Sequence, residues 1–327
     1  MKNSYGEILR VTIFGASHAE SVGVDIEGVP QGLRLTEELF AADIERRRPM
    51  QRGDTPRHES DTPQIEGTDE EHLTTGGSIR ISFRNNNIRS KDYTHLVYHP
   101  RPSHADLTQR RKYGQEADLA GGGIASGRMT VALVAAGVVA KQLIPNTRFE
   151  TKLIEVAGIT DVSRFDSLIQ EAHSDKDSVG GVVECRVEGV EASLGEPFFD
   201  SVESTIAHLL FSIPGGKGVE VGEGVGGCKK RGSERNDAII DDKGTTLTNN
   251  EGGINGGITN GNPIIVRVAI KPTPSIGREQ HSYDFSSGRI APLTIGGRHD
   301  ACIARRAAVV VEAMVALALA DLKLRNL

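Results

Sequence analysis

Two helix-length stretches, Thr130 to Leu143 and about Arg305 to Leu324, carry Ala, Val and Leu on every face rather than along one stripe. Helices of that kind cannot lie on a surface and have to be enclosed. The longest apolar run, Val131 to Ala140, is well short of the ~20 residues that span a bilayer and ends on Lys141, so protein layers must do the enclosing.

Strands supply such layers. Strand-like stretches run from Arg10 to Phe14, Ile79 to Phe83, Val183 to Glu188 and Ile264 to Lys271. Val183, Cys185 and Val187 alternate with Glu184, Arg186 and Glu188, while Ile264, Val266, Val268 and Ile270 share one face. That period of two predicts half-buried strands of an antiparallel or mixed sheet. Two more helices are expected: Thr36 to Arg48, capped by Thr36 and stopped by Pro49, and Val202 to Ser212. No Pro-rich or Ser-rich linker divides the chain, and the polar stretch Ser163 to Ser178 reads as a loop. The expected fold is α/β, one large domain over residues 1–327. It is a β-α-β sandwich whose central buried helices are covered by mixed or antiparallel sheets.

Charge narrows the function. The 38 basic and 44 acidic residues leave −6, which gives no global field for nucleic acid or an anionic membrane, so any anion site is local. The 3 cysteines, Cys185, Cys228 and Cys302, are far apart and in no C-x-x-C pair, which argues against a disulfide framework or a zinc knuckle. Met1 to Arg10 contains no apolar signal region. A cytoplasmic, reducing setting is the expectation. Glycine is high, 38 of 327 against a usual ~7%, and clusters at Gly121 to Gly123, Gly215 to Gly218, Gly222 to Gly227 and Gly252 to Gly261. Each cluster is open to two readings, a tight turn or a backbone nest for an anion.

Arginine provides candidates for that local site. Arg46, Arg47, Arg48, Arg52 and Arg57 follow one another at the end of the first helix, and Arg101, Arg128 and Arg298 stand beside glycine or proline. A run of this kind is most often a solvated face. Together with the isolated arginines it would grip a substrate carrying several negative charges. Among the histidines, His18, His104 and His299 sit in turn-like polar settings suited to proton transfer or to structural hydrogen bonds. A metal site from His95, His99 and His104 is disfavoured because Pro100 and Pro102 break any shared helical face, and no metal is expected. Gly222-x-Gly224-x-x-Gly227 is followed by Cys228-Lys229-Lys230-Arg231 where a dinucleotide fold needs an apolar helix, and the GGKG at Gly215 has Phe211 where a Walker loop needs glycine. Kinase signatures are absent as well. GGGIASGR, Gly121 to Arg128, leads into the first buried helix and offers Ser126 and backbone amides to an anion.

Several segments taken together are more specific: FGASHAESVGVDIEGVPQGL, DIERRRP, RSKDY, RPSHADLTQRRKYG, GGGIASGR, GKGVEVGEG, RGSERND, TNNEGGINGGITNGNPI, KPTPSI and GRHDAC followed by EAMVALALAD. In order and wording, from Ser4 to Asp321, the chain resembles chorismate synthase. The resemblance implies the last step of the shikimate pathway towards aromatic amino acids. That step is an anti 1,4-elimination of phosphate from 5-enolpyruvylshikimate-3-phosphate to chorismate by a carbon–oxygen lyase. It implies reduced FMN as cofactor with no net redox change, and a homotetramer. Some relatives carry an NAD(P)H-dependent flavin reductase activity. No added feature here favours it, so a separate reductase is expected to supply reduced flavin.

By the same resemblance His18 would protonate or stabilise the leaving phosphate, His104 would lie beside the flavin ring and keep the protonation of the reduced anion correct, and Asp300 would take the proton that arrives on the flavin. Ser17, Arg47, Arg52, Arg101, Arg128 and Arg298 would grip substrate, Arg52 aligning only across a one-residue gap. Flavin contacts would come from Ile124, Ala125, Ser126, Pro214, Gly215, Gly256, Lys271, Pro272, Thr273, Pro274, Ser275 and Arg298. The chain departs from the pattern at Ala19, at Met50, at Ile124 and Ala125, where arginine and serine are usual, at Gly127 and Met129, and at Ala301, where proline is usual. All three acid-base residues survive, so an active enzyme is expected. The alternative is a catalytically weakened paralogue that binds flavin or a phosphometabolite.

Overall fold

The structure, a computed structural model, describes residues 2–87, 96–297 and 299–326. His95, Arg298 and the RSKDY segment lie outside the described residues. The first sheet contains β1 (Ser4–Tyr5), β2 (Arg10–Gly15), β3 (Ser21–Glu27), β4 (Gln64–Glu66) and β5 (Ile79–Arg84) in the order β1-β2-β3-β5-β4. The second is built from β6 (Arg148–Val156), β7 (Gly181–Glu188), β8 (Gly216–Val221) and, after a hairpin of β9 (Ile254–Asn255) and β10 (Ile258–Thr259), β11 (Ile264–Ile270). Its order is β6-β7-β11-β8, and every pairing in both sheets is antiparallel. A last hairpin joins β12 (Gln280–Asp284) to β13 (Arg289–Leu293). Val183, Cys185 and Val187 on β7, and Ile264, Val266, Val268 and Ile270 on β11, are buried as their alternation predicts.

Between the sheets lie the enclosed helices. The helices are α1 (Glu37–Arg47), α2 (Asp106–Tyr113), α3 (Thr130–Leu143), α4 (Phe165–Ser174), α5 (Val202–Phe211), the single turns α6 (Gly224–Gly227) and α7 (Gly232–Arg235), and α8 (Ile303–Arg325). Helix α3 backs onto the first sheet, α8 onto the second, and the two pack against each other. Their close approach needs Gly137: a Cβ there would stand 2.3 Å from the Cβ of Ala313. One hydrophobic cluster runs through both sheets and both helices, which is the expected sandwich.

Two expectations are corrected. Ser163 to Ser178 is not a loop, because Phe165, Ile169 and Ala172 recur at helical spacing and bury one face of α4. Thr36 stands at the N-cap of α1 without donating or accepting a cap bond, its side chain engaging Glu38 instead.

Helix α8 buries a charge in its apolar length. Glu312 accepts both ends of the Arg46 fork, at 2.9 and 2.7 Å, and Lys141 Nζ, tying α8 to α1 and α3. Burial alone would raise its pKa, but the bonds and charges of Arg46 and Lys141 outweigh that and hold it at about 2. A depressed carboxylate stabilises the fold fully above its unfolded value of 4.5 and loses that contribution as the pH falls through about 2. Glu312→Gln is therefore expected to lower stability by about 3 kcal/mol at neutral pH, the gap to the parent closing between about pH 4.5 and 2. Urea unfolding across that range checks it, and a gap independent of pH contradicts it.

Candidate active site

A cavity of about 490 Å³, within the roughly 300–1,000 Å³ usual for ligand sites, opens where the C-terminus of α1, the loop entering α3 and the start of α8 converge. His18, His104 and Asp300, scattered through the sequence, all line it.

The glycine loop brings the two histidines together. Gly121, Gly122 and Gly123 have φ of 59°, 89° and 55°, a left-handed run closed to other residues without strain. A Cβ on Gly121 would lie 2.7 Å from His18 Nε2 and 2.8 Å from Ser17 Oγ, and one on Gly122 would lie 3.1 Å from His104 Cε1. The loop thus acts through closeness. Two of its amides bond within the loop, Gly122 to the Leu119 carbonyl and Ser126 to that of Gly123, while Ser126 Oγ accepts the Arg128 N–H. Gly121, Ala125, Ser126 and Gly127 of GGGIASGR line the cavity.

Ser17 is fully buried behind His18, not in the cavity wall. Its N–H donates to the Gly123 carbonyl, and its hydroxyl and carbonyl accept Arg57 Nη1 and Nη2 at 3.0 and 3.1 Å. Arg57 is braced in turn by Glu59. His104 Nδ1 lies 2.8 Å from Asp106 Oδ1. Burial would raise the Asp106 carboxyl, yet the Arg101 bonds and the close approach of His104 prevail and hold it well below the usual carboxylate range. Arg101 also donates to Ser275 Oγ at 3.0 Å. Ser103, next to His104, carries φ of 57°, and its carbonyl accepts Lys271 Nζ.

Arg47 and Arg128 share Asp61, one carboxylate oxygen each. Arg47 donates further to Thr130 Oγ1 and to the carbonyls of Gly127 and Arg128, and Arg128 donates to Asn85 Oδ1. Burial, aided by the Arg306 and Arg128 charges, pulls the Arg47 guanidinium down to about 9 against the attraction of Asp61 and Asp300. Three arginines of the wall, Arg47, Arg128 and Arg306, are thus bonded to two carboxylates, Asp61 and Asp300, a surplus of positive charge that favours an anion. Asp300 accepts the Thr55 N–H and Arg306 Nη1. His299 is lowered by burial, and its Nε2 lies 3.1 Å from the Gly296 carbonyl.

The opposite wall suits a planar cofactor with a phosphate. Ile213, Pro214, Ile303, Ala307 and Val310 give an apolar floor, the last three on one face of α8. Lys217 and Lys271 stand in the same wall, and Lys271 is lowered first by burial and then by Lys217. The Thr273 hydroxyl is buried and has no hydrogen-bond partner among the described residues, which suits a ligand oxygen. Ala125, Ser126, Gly215, Pro274 and Ser275 also line this cavity.

Besides Ser17, four described residues expected at the site are not in its wall. Ile124 packs against the hydrophobic core, Pro272 is outside the lining, and so is Arg52, whose carbonyl accepts Arg305 Nη1. Gly256 lies at the β9–β10 turn, next to Gly257, whose carbonyl accepts the Val202 N–H at the start of α5, whereas Pro214 follows the end of that helix. Sequence reasoning in turn missed Asp61, Thr55, Lys217 and Arg306. The i, i+4, i+7 spacing of Ile303, Ala307 and Val310 was the available sign that the first turns of α8 face a ligand.

The family model described as Chorismate synthase matches residues 9–324. The chain belongs to the chorismate synthase family. A chorismate synthase of Chitinophaga pinensis is 52% identical over 324 residues, covering 98% of this chain and 96% of that one. One from Archaeoglobus fulgidus is 42% identical over 349 residues, covering 98% and 96%. A solved structure described as "Crystal Structure of Chorismate Synthase" superposes with a TM-score of 0.74 at 26% identity, covering 99% of this chain and 93% of that one. The fold, a chorismate synthase sandwich, is as the resemblance implied.

Proposed function

We propose that the chain eliminates phosphate from 5-enolpyruvylshikimate-3-phosphate in the anti 1,4 sense to give chorismate, with reduced FMN bound and no net redox change. One observation carries the reading: two histidines and a carboxylate from distant segments share a cavity with an arginine cluster hungry for negative charge. His18 donates a proton to the departing phosphate, which leaves with the electron pair of the broken C–O bond. Arg47 and Arg128 neutralise the substrate's anionic groups, and Asp300 receives the proton lost from the ring. Lys217, Lys271 and Thr273 would hold the flavin phosphate, and Ile303, Ala307 and Val310 would support its ring; the chemistry a reduced flavin would supply there is transient electron density for the departing phosphate. His104, oriented by Asp106, guards the protonation of the site.

We place the protein in the cytoplasm as a homotetramer fed by a separate flavin reductase. Cys185, Cys228 and Cys302 are unpaired thiols, and no helix of the described residues is long and apolar enough to cross a membrane. Phe198, Phe199, Ile239 and Leu247 are strongly exposed, which supports burial between copies.

Anaerobic reactions with reduced FMN, oxidised FMN and no flavin test the reading through phosphate release and direct detection of chorismate. Release only with reduced FMN is expected. Bound flavin without release in any reaction would make a ligand-binding paralogue the better account, with Ile124 and Ala125 as its cause.

A further inference from the structure

We propose that Arg306 is a positioning residue, whose guanidinium fixes the Asp300 carboxylate relative to the C-terminus of α1 and so to Arg47. The inference rests on the reading of Asp300 as proton acceptor. Nη1 of Arg306 reaches both carboxylate oxygens, at 3.0 and 2.9 Å, and Nε donates to the Arg47 carbonyl at 2.9 Å. Arg47 is the last residue of α1, so that carbonyl is one of those a helix end leaves without an internal partner. Arg306 itself stands in the first turn of α8, a helix of 23 residues packed into the core, and a rigid base lets one side chain hold two others.

A second set of bonds closes the same junction. The Thr55 N–H donates to Asp300 Oδ1 at 3.0 Å, and the Ala301 N–H donates to the Gly53 carbonyl at 2.8 Å. A proline at 301, usual in the family pattern, has no N–H to give. This chain therefore holds the Asp300 turn with hydrogen bonds in place of a rigid ring, and Arg306 reaches both carboxylate oxygens.

The alternative role for an arginine in this wall is substrate binding, and kinetics separate the two. Arg306→Ala, Arg306→Lys, Asp300→Asn and the Ala/Asn double variant are compared anaerobically with reduced FMN, with oxidised-FMN binding by fluorescence quenching and thermal melting measured alongside. Loss of positioning lowers kcat by about 100-fold with the substrate KM within roughly 3-fold, and lysine, which lacks the fork, restores little. In the Asp300→Asn background, removing Arg306 costs no more than about a further 3-fold, because both changes disable one unit. Should the Ala variant not fold, Arg306→Gln takes its place in the cycle. Multiplying losses, a raised KM with unchanged kcat, or lost FMN binding overturns the proposal. An unmodified chain that forms no chorismate overturns the assigned reaction, and the proposal with it.

Discussion

Replacing His18 with alanine is expected to lower chorismate formation by about 100-fold or more while leaving the affinity for oxidised FMN within a few-fold of the parent. The size follows from the role: a leaving phosphate that departs unprotonated forfeits the contribution of a positioned general acid. The selectivity follows from the layout. His18 sits in the turn fixed by Ser17, Arg57 and Gly121, whereas Lys217, Lys271 and Thr273 belong to the wall formed by β8 and the segment after β11. Stopped-flow or steady-state assays under anaerobic conditions, with a flavin titration, measure both quantities. Turnover equal to that of the parent removes His18 from its role, and a parallel collapse of flavin binding would mean that the turn supports the cofactor instead.

Asp61→Ala is expected to cost the largest amount of stability, about 3–5 kcal/mol, because it strips the shared carboxylate from two buried guanidiniums. Arg47 and Arg128 are 6% and 4% exposed in their side chains and Asp61 is 3%, so solvent cannot take over the lost charge. The neighbouring Arg306 adds to the repulsion. Asp61→Asn keeps an oxygen to accept but not the charge, and should fall between the parent and Asp61→Ala. Urea unfolding gives the ordering; a loss under about 1 kcal/mol for Asp61→Ala would show that the arginines do not depend on it.

The site was legible in part. His18, His104 and Asp300 were marked by polar motifs in turns, and Arg47 and Arg128 by isolated or clustered charge. Ser17 and Arg101 were expected to touch substrate; the first is buried and held by Arg57, and the second lines the cavity while paired with Asp106 and Ser275. Arg52 and Arg57 illustrate the limit most sharply. Both follow Pro49 in one basic run, yet only Arg57 reaches the cavity, a choice made by the path of the loop through Gly53 and Thr55.

What the sequence by itself determined is the layered architecture and its strand faces. Those depend on local periods, two for strands and 3.6 for helices, which any chain displays along its length. Two helices apolar all round had to be covered, and alternating strands had one face to offer. What only the tertiary structure decided is which charges meet: Glu312 with Arg46 and Lys141, Asp61 with two arginines, Arg306 with Asp300. The partners in these contacts are separated by as few as 6 residues and as many as 266, and nothing in a local pattern encodes such pairings. They arise because packing α1, α3 and α8 together removes water from side chains that must then satisfy one another.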